Sequence, residues 1–336
     1  MKKGLILTDC IERDRDGFLE AVQLKTGIIF KNIYVNSARW QKGISNVLRY
    51  LSYLFMPIYV FIIGKDYDYI ISWQQFYGLF YAFWCNLFKL KKKKILIVMT
   101  FIYKKKNGIA GKLYESLINS IVRSGYIDAF ICFSTDECDY YAELFGVDSQ
   151  YFHACRLSVE DQYDEFSDSV KLGEYYLAAG RSNRDYDFLC KAFSQFPDRK
   201  LVIICDNYVN NECTNNIEIW NDIYGDEYLK YLAGCKAVIV PLNEDTEISS
   251  GQLVVIQSLM FGKVVIATDS KQMREYIEDR ENGFLISNTT EKLDDILRRV
   301  ESIDMTHMNK KARESYLASF ACDHRSEVVA AILKHI

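Results

Sequence analysis

Apolar and polar residues alternate along the chain in a pattern that predicts strands and helices in turn. Short apolar runs are separated by longer segments in which apolar residues recur at helical spacing. Strands that are apolar on both faces are typical of a parallel sheet covered by helices on both sides. The strands predicted in the first half are Leu5–Thr8, Ile28–Val35, Tyr69–Trp73, Ile95–Thr100 and Ala129–Phe133. The helices predicted between them are Gly17–Lys25, Ile44–Ile63, Gln75–Phe88, Ile109–Ser124 and Thr135–Phe145.

The same alternation restarts after a polar, acidic stretch at residues 156–173, which we interpret as an inter-domain linker. The pattern predicts an α/β protein with two doubly wound, Rossmann-like domains at 1–155 and 174–318, and a C-terminal helix at 319–336. The strands predicted in the second half are Tyr175–Ala179, Leu201–Cys205, Ile217–Trp220, Ala237–Pro241, Val264–Ala267 and Phe284–Ile286. The helices are Tyr186–Phe196, Asp226–Ala233, Gln252–Phe261, Lys271–Glu278 and Thr290–Val300, with 309–336 largely helical.

Two segments of the first half are unusually apolar. Residues 47–63 contain one charge, Arg49. Residues 76–90 lead directly into the lysine cluster Lys91–Lys94, and a second cluster, Lys104–Lys106, follows. Pro57 and the short length of both segments argue against transmembrane helices. They are either helices buried against the sheet or surface helices that enter a bilayer, with lysines meeting anionic lipid. The parts of the chain expected to contact a membrane on the second alternative are 44–63, 76–94 and 104–106.

Charge is divided unequally between the two halves. Residues 1–150 carry 20 Lys and Arg against 14 Asp and Glu, whereas the remainder carries 21 against 31. A basic first half indicates an anionic partner, such as a membrane surface, a phosphorylated acceptor or nucleic acid. The acidic second half and the lack of a nucleic-acid-binding motif argue against nucleic acid.

The cysteines and the N-terminus bear on the compartment. The 10 cysteines are scattered without a Cys-x-x-Cys pair, and there are only 4 histidines, so a zinc site is not predicted. Several cysteines lie inside apolar strands, as expected of small buried side chains in a reducing cytosol. The apolar run after Met1 is too short for a signal peptide and is interpreted as the first strand. We therefore expect a cytoplasmic protein.

Two strand-to-helix turns of the second half carry candidate anion ligands. The turn Ser249-Ser250-Gly251-Gln252 opens a short apolar helix, whose free N–H groups and dipole favour an anion. The turn Gly180–Asp185 holds Arg181 and Arg184, which can neutralise a diphosphate. The alternatives are an ordinary capped helix and a surface ion pair between Arg184 and Asp185. Neither half has a Gly-x-Gly-x-x-Gly turn or a P-loop, which disfavours a nicotinamide dehydrogenase and a P-loop NTPase.

The second half resembles the nucleotide-binding domain of retaining GT-B glycosyltransferases with a Glu, seven residues, Glu motif, the group 1 family. The resemblance covers about Tyr175–Ile286, whereas the first half fits more loosely. It implies two domains facing a cleft, a C-terminal helix that crosses back to the first domain, and no cofactor besides the nucleotide-sugar co-substrate. The Ser-Ser-Gly-Gln turn is similar to relatives of bacterial surface-polysaccharide type. The stretches that carry the resemblance are AAGRSNRDYDFLCKAF, LVIICDN, LAGCKAVIVPL, SSGQLVVIQSLMFGKVVIAT and ENGFLI.

The sequence departs from the family pattern at both glutamates. Gln257 stands at the second, which takes the ribose hydroxyls, and an amide can still hydrogen-bond a diol. Ser249 stands near the first, which lies beside the donor sugar, so Asp245 or Glu247 takes that role or the role is lost. The usual lysine after Gly-Arg is missing, and Arg184 is the candidate for its charge. The histidine that the family places on the catalytic face is also absent.

The remaining site candidates lie at or just after the ends of predicted strands. Trp220 and Asn221, at the end of a strand, are the candidates for the nucleobase. Aromatic faces and amides also suit a sugar acceptor, although core packing explains them about as well. The acceptor candidates are Trp73, Gln74, Gln75 and Phe101.

The expected mechanism follows from the charge that develops when the sugar leaves its nucleotide diphosphate. Negative charge develops on the leaving diphosphate, where Arg181, Arg184 and the backbone of 250–252 would stabilise it without a metal ion. We therefore expect a peripheral membrane glycosyltransferase that moves a sugar from a nucleotide diphosphate, UDP favoured, to a lipid-linked glycan or glycolipid. The alternatives are a non-catalytic partner subunit with a degenerate site and a nucleotide-sugar epimerase.

Overall fold

The computed structural model describes residues 2–9, 14–37, 43–170, 173–210, 213–243, 250–321 and 324–336. The chain divides into two compact units, the first formed by Met1–Arg156 with His324–Ile336 and the second by Leu157–Asp323. Each unit has one parallel sheet of six strands with helices on both faces, so the prediction of two Rossmann-like domains is confirmed. The C-terminal helix returns to the first unit, as expected. Phe166, inside the stretch interpreted as a linker, is buried in the core of the second unit.

The first unit has the strand order β2-β1-β3-β4-β5-β6, with every neighbouring pair parallel. Its strands are β1 (Lys3–Thr8), β2 (Ile29–Tyr34), β3 (Tyr69–Ser72), β4 (Ile95–Val98), β5 (Ala129–Cys132) and β6 (Phe152–Ala154). Its first five helices are α1 (Asp14–Thr26), α2 (Gly43–Ile63), α3 (Gln75–Leu87), α4 (Gly108–Val122) and α5 (Thr135–Phe145). The strand β6 is an addition to the predicted elements.

The second unit has the order β12-β11-β10-β7-β8-β9, also parallel throughout. Its strands are β7 (Tyr175–Ala179), β8 (Lys200–Ile204), β9 (Ile217–Trp220), β10 (Ala237–Val240), β11 (Val265–Thr268) and β12 (Gly283–Ile286). Its helices are α6 (Tyr186–Phe193), α7 (Gly225–Gly234), α8 (Gln252–Met260), α9 (Lys271–Arg274), α10 (Thr290–Ser302) and α11 (Thr306–Ser319). The last helix, α12 (His324–His335), packs against α1 in the first unit.

Alternation along each central strand places apolar side chains on both faces of its sheet. In β10, Val238 and Val240 enter one buried cluster, whereas Ala237 and Ile239 enter the cluster on the other face. The carboxyl ends of all strands in a unit meet at one edge because the strands are parallel. That edge is where open α/β sheets bind ligands.

The helix α2 has one apolar face buried and another exposed. Tyr53, Met56 and Val60 are buried with α3 in the core of the first unit. By length and composition, Ile44–Asp66 could cross a membrane, and 28% of its most apolar window is buried. The exposed large apolar side chains of α2 extend from its first turn to its last: Ile44, Val47, Leu48, Tyr50, Leu51, Phe55, Tyr59 and Ile62.

Candidate functional site

The second sheet reverses its strand order between β7 and β10. From β7 the chain builds outward through β8 and β9, then returns to place β10 on the other side of β7. Such a switch point leaves a crevice at the carboxyl ends of the two strands, where ligands of open α/β sheets bind. The two turns predicted to bind an anion, Gly180–Asp185 and Ser249–Gln252, follow these two strands in the chain.

Backbone contacts hold the Gly180–Asp185 turn against the end of β10. Arg184 forms an isolated antiparallel bridge with Leu242, and the Asp185 N–H donates to the Pro241 carbonyl at 3.0 Å. The Asp185 carboxylate caps α6 by accepting the Phe188 N–H at 3.0 Å. Asp185 therefore serves the helix and forms no ion pair with Arg184, which removes the surface-pair alternative.

The Arg184 guanidinium is partly buried and lacks an acidic partner within the described ranges. Its Nε donates to the Ala179 carbonyl at 3.1 Å and its Nη1 to the Ser182 carbonyl at 2.6 Å. Burial lowers its pKa from the ordinary value, and within the described residues the groups that act against this shift are Tyr186, Tyr228 and Cys205. A partly buried cation without a carboxylate partner among these residues is a candidate for binding an anion.

The first turn of α8 lies beside this guanidinium. Arg184 Nη2 is 3.6 Å from the position that a Cβ on Gly251 would occupy, and 2.7 Å from the corresponding position on Gly180. Gly251 is the N-cap of α8 with φ of 89°, and no side chain caps the helix. The helix therefore starts through a left-handed glycine, and Ser250 is not its N-cap. Helix geometry leaves the N–H groups of 252–254 without intrahelical acceptors.

Arg181 belongs to a separate polar network that the sequence did not indicate. Its Nη1 lies 3.6 Å from Oδ2 of Asp206, which follows β8. The same carboxylate accepts the Asp222 N–H at 3.0 Å and the Tyr224 hydroxyl at 2.5 Å. Arg181 is about half exposed, so of the two arginines Arg184 is the one whose charge has no carboxylate partner among the described residues.

Two amides on α8 have polar atoms without a partner among the residues that the structure describes. Gln252 is 5% exposed, and its buried Nε2 has no hydrogen-bond acceptor. The buried Oε1 of Gln257 likewise has no donor. Buried polar groups in folded proteins are nearly always paired, so these atoms are candidates for ligand contacts. The Tyr228 hydroxyl on α7, whose phenol interacts electrostatically with Arg184, is a third such group.

The end of β10 is held in place from the other side by β11 and β12. Thr268 Oγ1 accepts the Leu242 N–H at 2.7 Å, and Asn288 Nδ2 donates to the Leu242 carbonyl at 2.7 Å. Asn288 Oδ1 in turn accepts the Thr268 hydroxyl at 2.7 Å. These contacts hold Leu242 in place. Because Arg184 forms its bridge with Leu242, they also position the segment that carries Arg184.

The nucleobase candidates lie at the edge of the same sheet. Trp220 ends β9, is 38% exposed, and donates its indole N–H to Glu218 at 3.1 Å. Asn221 follows and is exposed. Since β9 is two strands from β7, Trp220 lies roughly 10 Å from the arginine turn. The donor-sugar candidates Asp245 and Glu247, and Ser249 of the diphosphate turn, lie outside the described residues.

The acceptor candidates Gln74 and Gln75 lie at the carboxyl edge of the first sheet. Gln74 caps α3 by accepting the Phe76 N–H at 3.0 Å, and its Nε2 donates to Asp9 at 3.2 Å across the switch point between β1 and β3. Gln75 accepts the Ile102 N–H at 3.0 Å. Polar side chains therefore meet where this sheet would bind a ligand.

The two aromatic acceptor candidates are mainly packing residues. Phe101 is 1% exposed and packs against Phe130 and Tyr141, so its assignment to the acceptor is corrected: the ring belongs to the core. Trp73 contacts Phe18 edge to face at 5.0 Å and lies under the Arg325 guanidinium. Among the described residues, no group of three or more His, Cys, Asp or Glu could hold a metal ion.

Comparison with known proteins places these features in context. Residues 174–302 match the sequence model of glycosyl transferases group 1. The match runs from β7 to α10 and contains the turns after β7 and β10, so the resemblance inferred from the sequence is supported for the second unit. A search of curated proteins finds no match to the chain.

Solved structures show the same fold over the whole length. The chain is similar to Anabaena HepE in complex with UDP, with 12% identity, 100% of both chains covered and a TM-score of 0.69. It is similar to WaaG, a glycosyltransferase involved in lipopolysaccharide biosynthesis, with 12% identity, 98% and 99% coverage and a TM-score of 0.63. A UDP-GlcNAc 2-epimerase from Methanocaldococcus jannaschii gives 11% identity, full coverage and a lower TM-score of 0.55. The expected GT-B architecture is confirmed.

Proposed function

We propose that this protein is a glycosyltransferase that moves a sugar from a UDP-sugar to a lipid-linked glycan or glycolipid acceptor. The match of residues 174–302 to glycosyl transferases group 1 supports the transferase class. The choice of UDP is supported by the complexes of the similar HepE with UDP and with UDP-glucose. Arg184 is the observation that carries the proposal, because its partly buried charge lacks a carboxylate partner within the described part of the chain and lies at the switch point.

The proposed reaction uses the crevice to stabilise the leaving group. When the bond between the anomeric carbon and the phosphate breaks, negative charge grows on the diphosphate. Arg184 and the free N–H groups at the start of α8 are preorganised to receive that charge, with Arg181 at the rim. The protein then supplies the cations that a metal ion would otherwise provide, and the nucleotide-sugar is a co-substrate, so no cofactor is proposed. Retention of configuration is proposed from the family resemblance.

We assign the acceptor to the carboxyl edge of the first sheet, around Gln74 and Gln75. A lipid-linked acceptor fits the exposed apolar face of α2, which a soluble substrate would not require. Lys104–Lys106 adjoin α4, where Ile109 and Leu113 are 82% and 68% exposed. We therefore propose a cytoplasmic enzyme, peripheral at the inner face of the plasma membrane, that contacts lipid through 44–63, 76–94 and 104–106 and acts in surface polysaccharide biosynthesis.

A thermal-shift screen of nucleotides and nucleotide sugars tests the proposal. A ligand that binds only the folded state raises the unfolding temperature, and at a concentration about 100-fold above Kd it adds about 2.7 kcal/mol. We expect UDP and one UDP-sugar to stabilise the protein. We also expect the protein to release UDP from that UDP-sugar in the presence of membrane lipid extract. The absence of stabilisation by every UDP and GDP compound would refute the donor assignment.

A non-catalytic partner subunit is the second candidate. It is favoured by Gln257 at the position of the family's second glutamate and by the buried Phe101 where the family has a histidine. This alternative predicts that UDP binds, that no UDP is released from any UDP-sugar, and that a second protein is needed for turnover. The epimerase alternative predicts a changed sugar that is still attached to UDP, which chromatography of the reaction mixture detects.

A further inference from the structure

A basic cavity of about 720 Å³ opens at the amino edge of the first sheet. It lies at the C-terminal ends of α2 and α3, between the loops that lead into β3 and β4. Five lysines line it, Lys65 and Lys91–Lys94, against a single carboxylate, Asp68. The remaining wall is largely aromatic and apolar, with rings such as Phe61, Tyr81 and Tyr126. A cavity with this lining favours an anion attached to an apolar group.

The five lysines divide into two structural and three available cations. Lys94 Nζ donates to the carbonyls of Gly64 and Tyr67, which follow the end of α2, so this lysine stabilises the chain. Lys92 pairs with Asp128 at 2.7 Å. Lys65, Lys91 and Lys93 are exposed and have no carboxylate within ion-pair distance in the described part of the chain. Positive charge therefore remains at the mouth of the cavity after the internal pairs are counted.

The surface around the mouth is apolar. Ile62 on the last turn of α2 is 69% exposed, and Leu87 and Phe88 at the end of α3 are 55% and 60% exposed. Leu90, which lines the cavity, is 40% exposed. From here the exposed apolar face of α2 continues over the full length of the helix. Exposed apolar side chains next to lysines are the pattern of a surface that enters the boundary between lipid head groups and acyl chains.

We propose that this cavity binds the phosphate head group of an anionic phospholipid whose acyl chains lie against the exposed face of α2. The inference rests on the membrane contact proposed above and names its partner. It places lipid at the amino edge of the first sheet, whereas Gln74 and the acceptor candidates lie at the carboxyl edge. An anionic lipid held here would orient the first unit without occupying the acceptor edge.

Co-sedimentation with vesicles tests the assignment on the full chain. The vesicles contain phosphatidylcholine alone or mixed with phosphatidylglycerol, and the test variant combines Lys91→Ala with Lys93→Ala. The control combines Lys310→Ala with Lys311→Ala, which removes equal charge from the second unit, where both lysines are within 4.0 Å of Glu314. We expect wild type to prefer the anionic vesicles, the test variant to bind them roughly 30-fold more weakly, about fivefold per lysine, and the control to bind normally.

The possible results separate the alternatives. Equal weakening by both double variants would show diffuse electrostatic attraction and overturn the proposal. Inorganic phosphate or glycerol phosphate that displaces the protein at the same concentration as the lipid would identify a site for a soluble anion and also overturn it. UDP binding is measured by calorimetry on the same samples. If wild type binds UDP but does not prefer anionic vesicles, this inference alone is refuted. If wild type binds no UDP, the proposed function is refuted. An unchanged unfolding temperature of the Lys91/Lys93 variant excludes misfolding as the cause.

Discussion

Replacing Arg184 by methionine separates a ligand-binding charge from a structural one. Methionine keeps an unbranched side chain of similar length and removes the guanidinium. Arg199 is the matched control in the same unit, because its guanidinium forms a bidentate pair with Glu301, including Nη2 to Oε2 at 2.9 Å, and a bond to Asp294 at 2.6 Å. Arg199 directly precedes β8, at the opposite edge of the sheet from Arg184.

The magnitudes follow from these contacts. Loss of Arg184 removes one or two charge-assisted hydrogen bonds to the diphosphate, worth about 2–3 kcal/mol, which predicts a roughly 30–160-fold higher Kd for UDP. The folded protein loses two bonds to carbonyls but no longer desolvates a charge that has no carboxylate partner in the described ranges, so the free energy of unfolding should change by no more than about 1 kcal/mol. Arg199→Met removes the guanidinium from Glu301, which keeps the Tyr176 hydroxyl, and from Asp294, which keeps Arg298. The loss of these charge-assisted hydrogen bonds should destabilise the protein by about 2 kcal/mol without affecting UDP binding.

Two measurements on each variant decide the matter: calorimetric titration with UDP and urea unfolding at pH 7. The reasoning requires opposite responses, with affinity lost in the Arg184 variant and stability lost in the Arg199 variant. If Arg184→Met lowered the free energy of unfolding by as much as Arg199→Met and left UDP affinity unchanged, Arg184 would be a structural residue. The diphosphate assignment of the crevice would then be refuted.

Three further predictions address the same elements. Gly180→Ala should lower UDP affinity about tenfold by calorimetry, because the added Cβ would lie 2.7 Å from the Arg184 guanidinium. Gly225 is the control, because it also has a positive φ but an added Cβ there would meet open space. Gly225→Ala should lose only about 1 kcal/mol of stability and keep UDP binding. The hydrogen bond from Arg199 holds the pKa of Asp294 below its ordinary value, so the stability this pair provides is present at neutral pH and is lost as the pH falls below about 4. Urea unfolding of wild type and Arg199→Met should therefore converge in acid, and a constant difference would contradict the assignment. Gln257→Ala should weaken uridine and UDP by the same factor, about fivefold, if its unpaired Oε1 meets the ribose, whereas a larger loss for UDP would place it at the diphosphate.

The fold could be predicted from the sequence because each central strand is apolar on both faces. The strand Tyr175–Ala179 was predicted with its observed bounds, since all five residues are apolar and Gly180 follows. The strand β6 was not predicted because it has only three residues and a partly buried, polar His153 at its centre. Its pairing with β5 depends on a tertiary neighbour that local periodicity does not encode.

Only the parts of the candidate site that are formed by local turns could be predicted from the sequence. The two turns were identified because each follows an apolar strand and opens a helix. The sequence did not indicate that Asp206 pairs with Arg181, since Asp206 follows a different strand, or that Arg184 has no carboxylate partner among the described residues. The burial of Phe101 was equally hidden, because an aromatic residue at a strand end packs inward or outward according to the helices around it.

Gln257 and the Arg184 guanidinium, which has no carboxylate partner among the described residues, belong to one charge arrangement. Where the family has a second glutamate on this helix, Gln257 is neutral, and α8 has no acidic residue from Gln252 to Met260. A carboxylate on α8 would offset part of the positive potential that Arg184 and the helix N-terminus direct into the crevice. On the proposed assignment, the amide of Gln257 would give up a charged acceptor for the ribose and would leave this potential to act on the diphosphate. We therefore expect donor recognition in the proposed transferase to depend more on the phosphates than on the ribose.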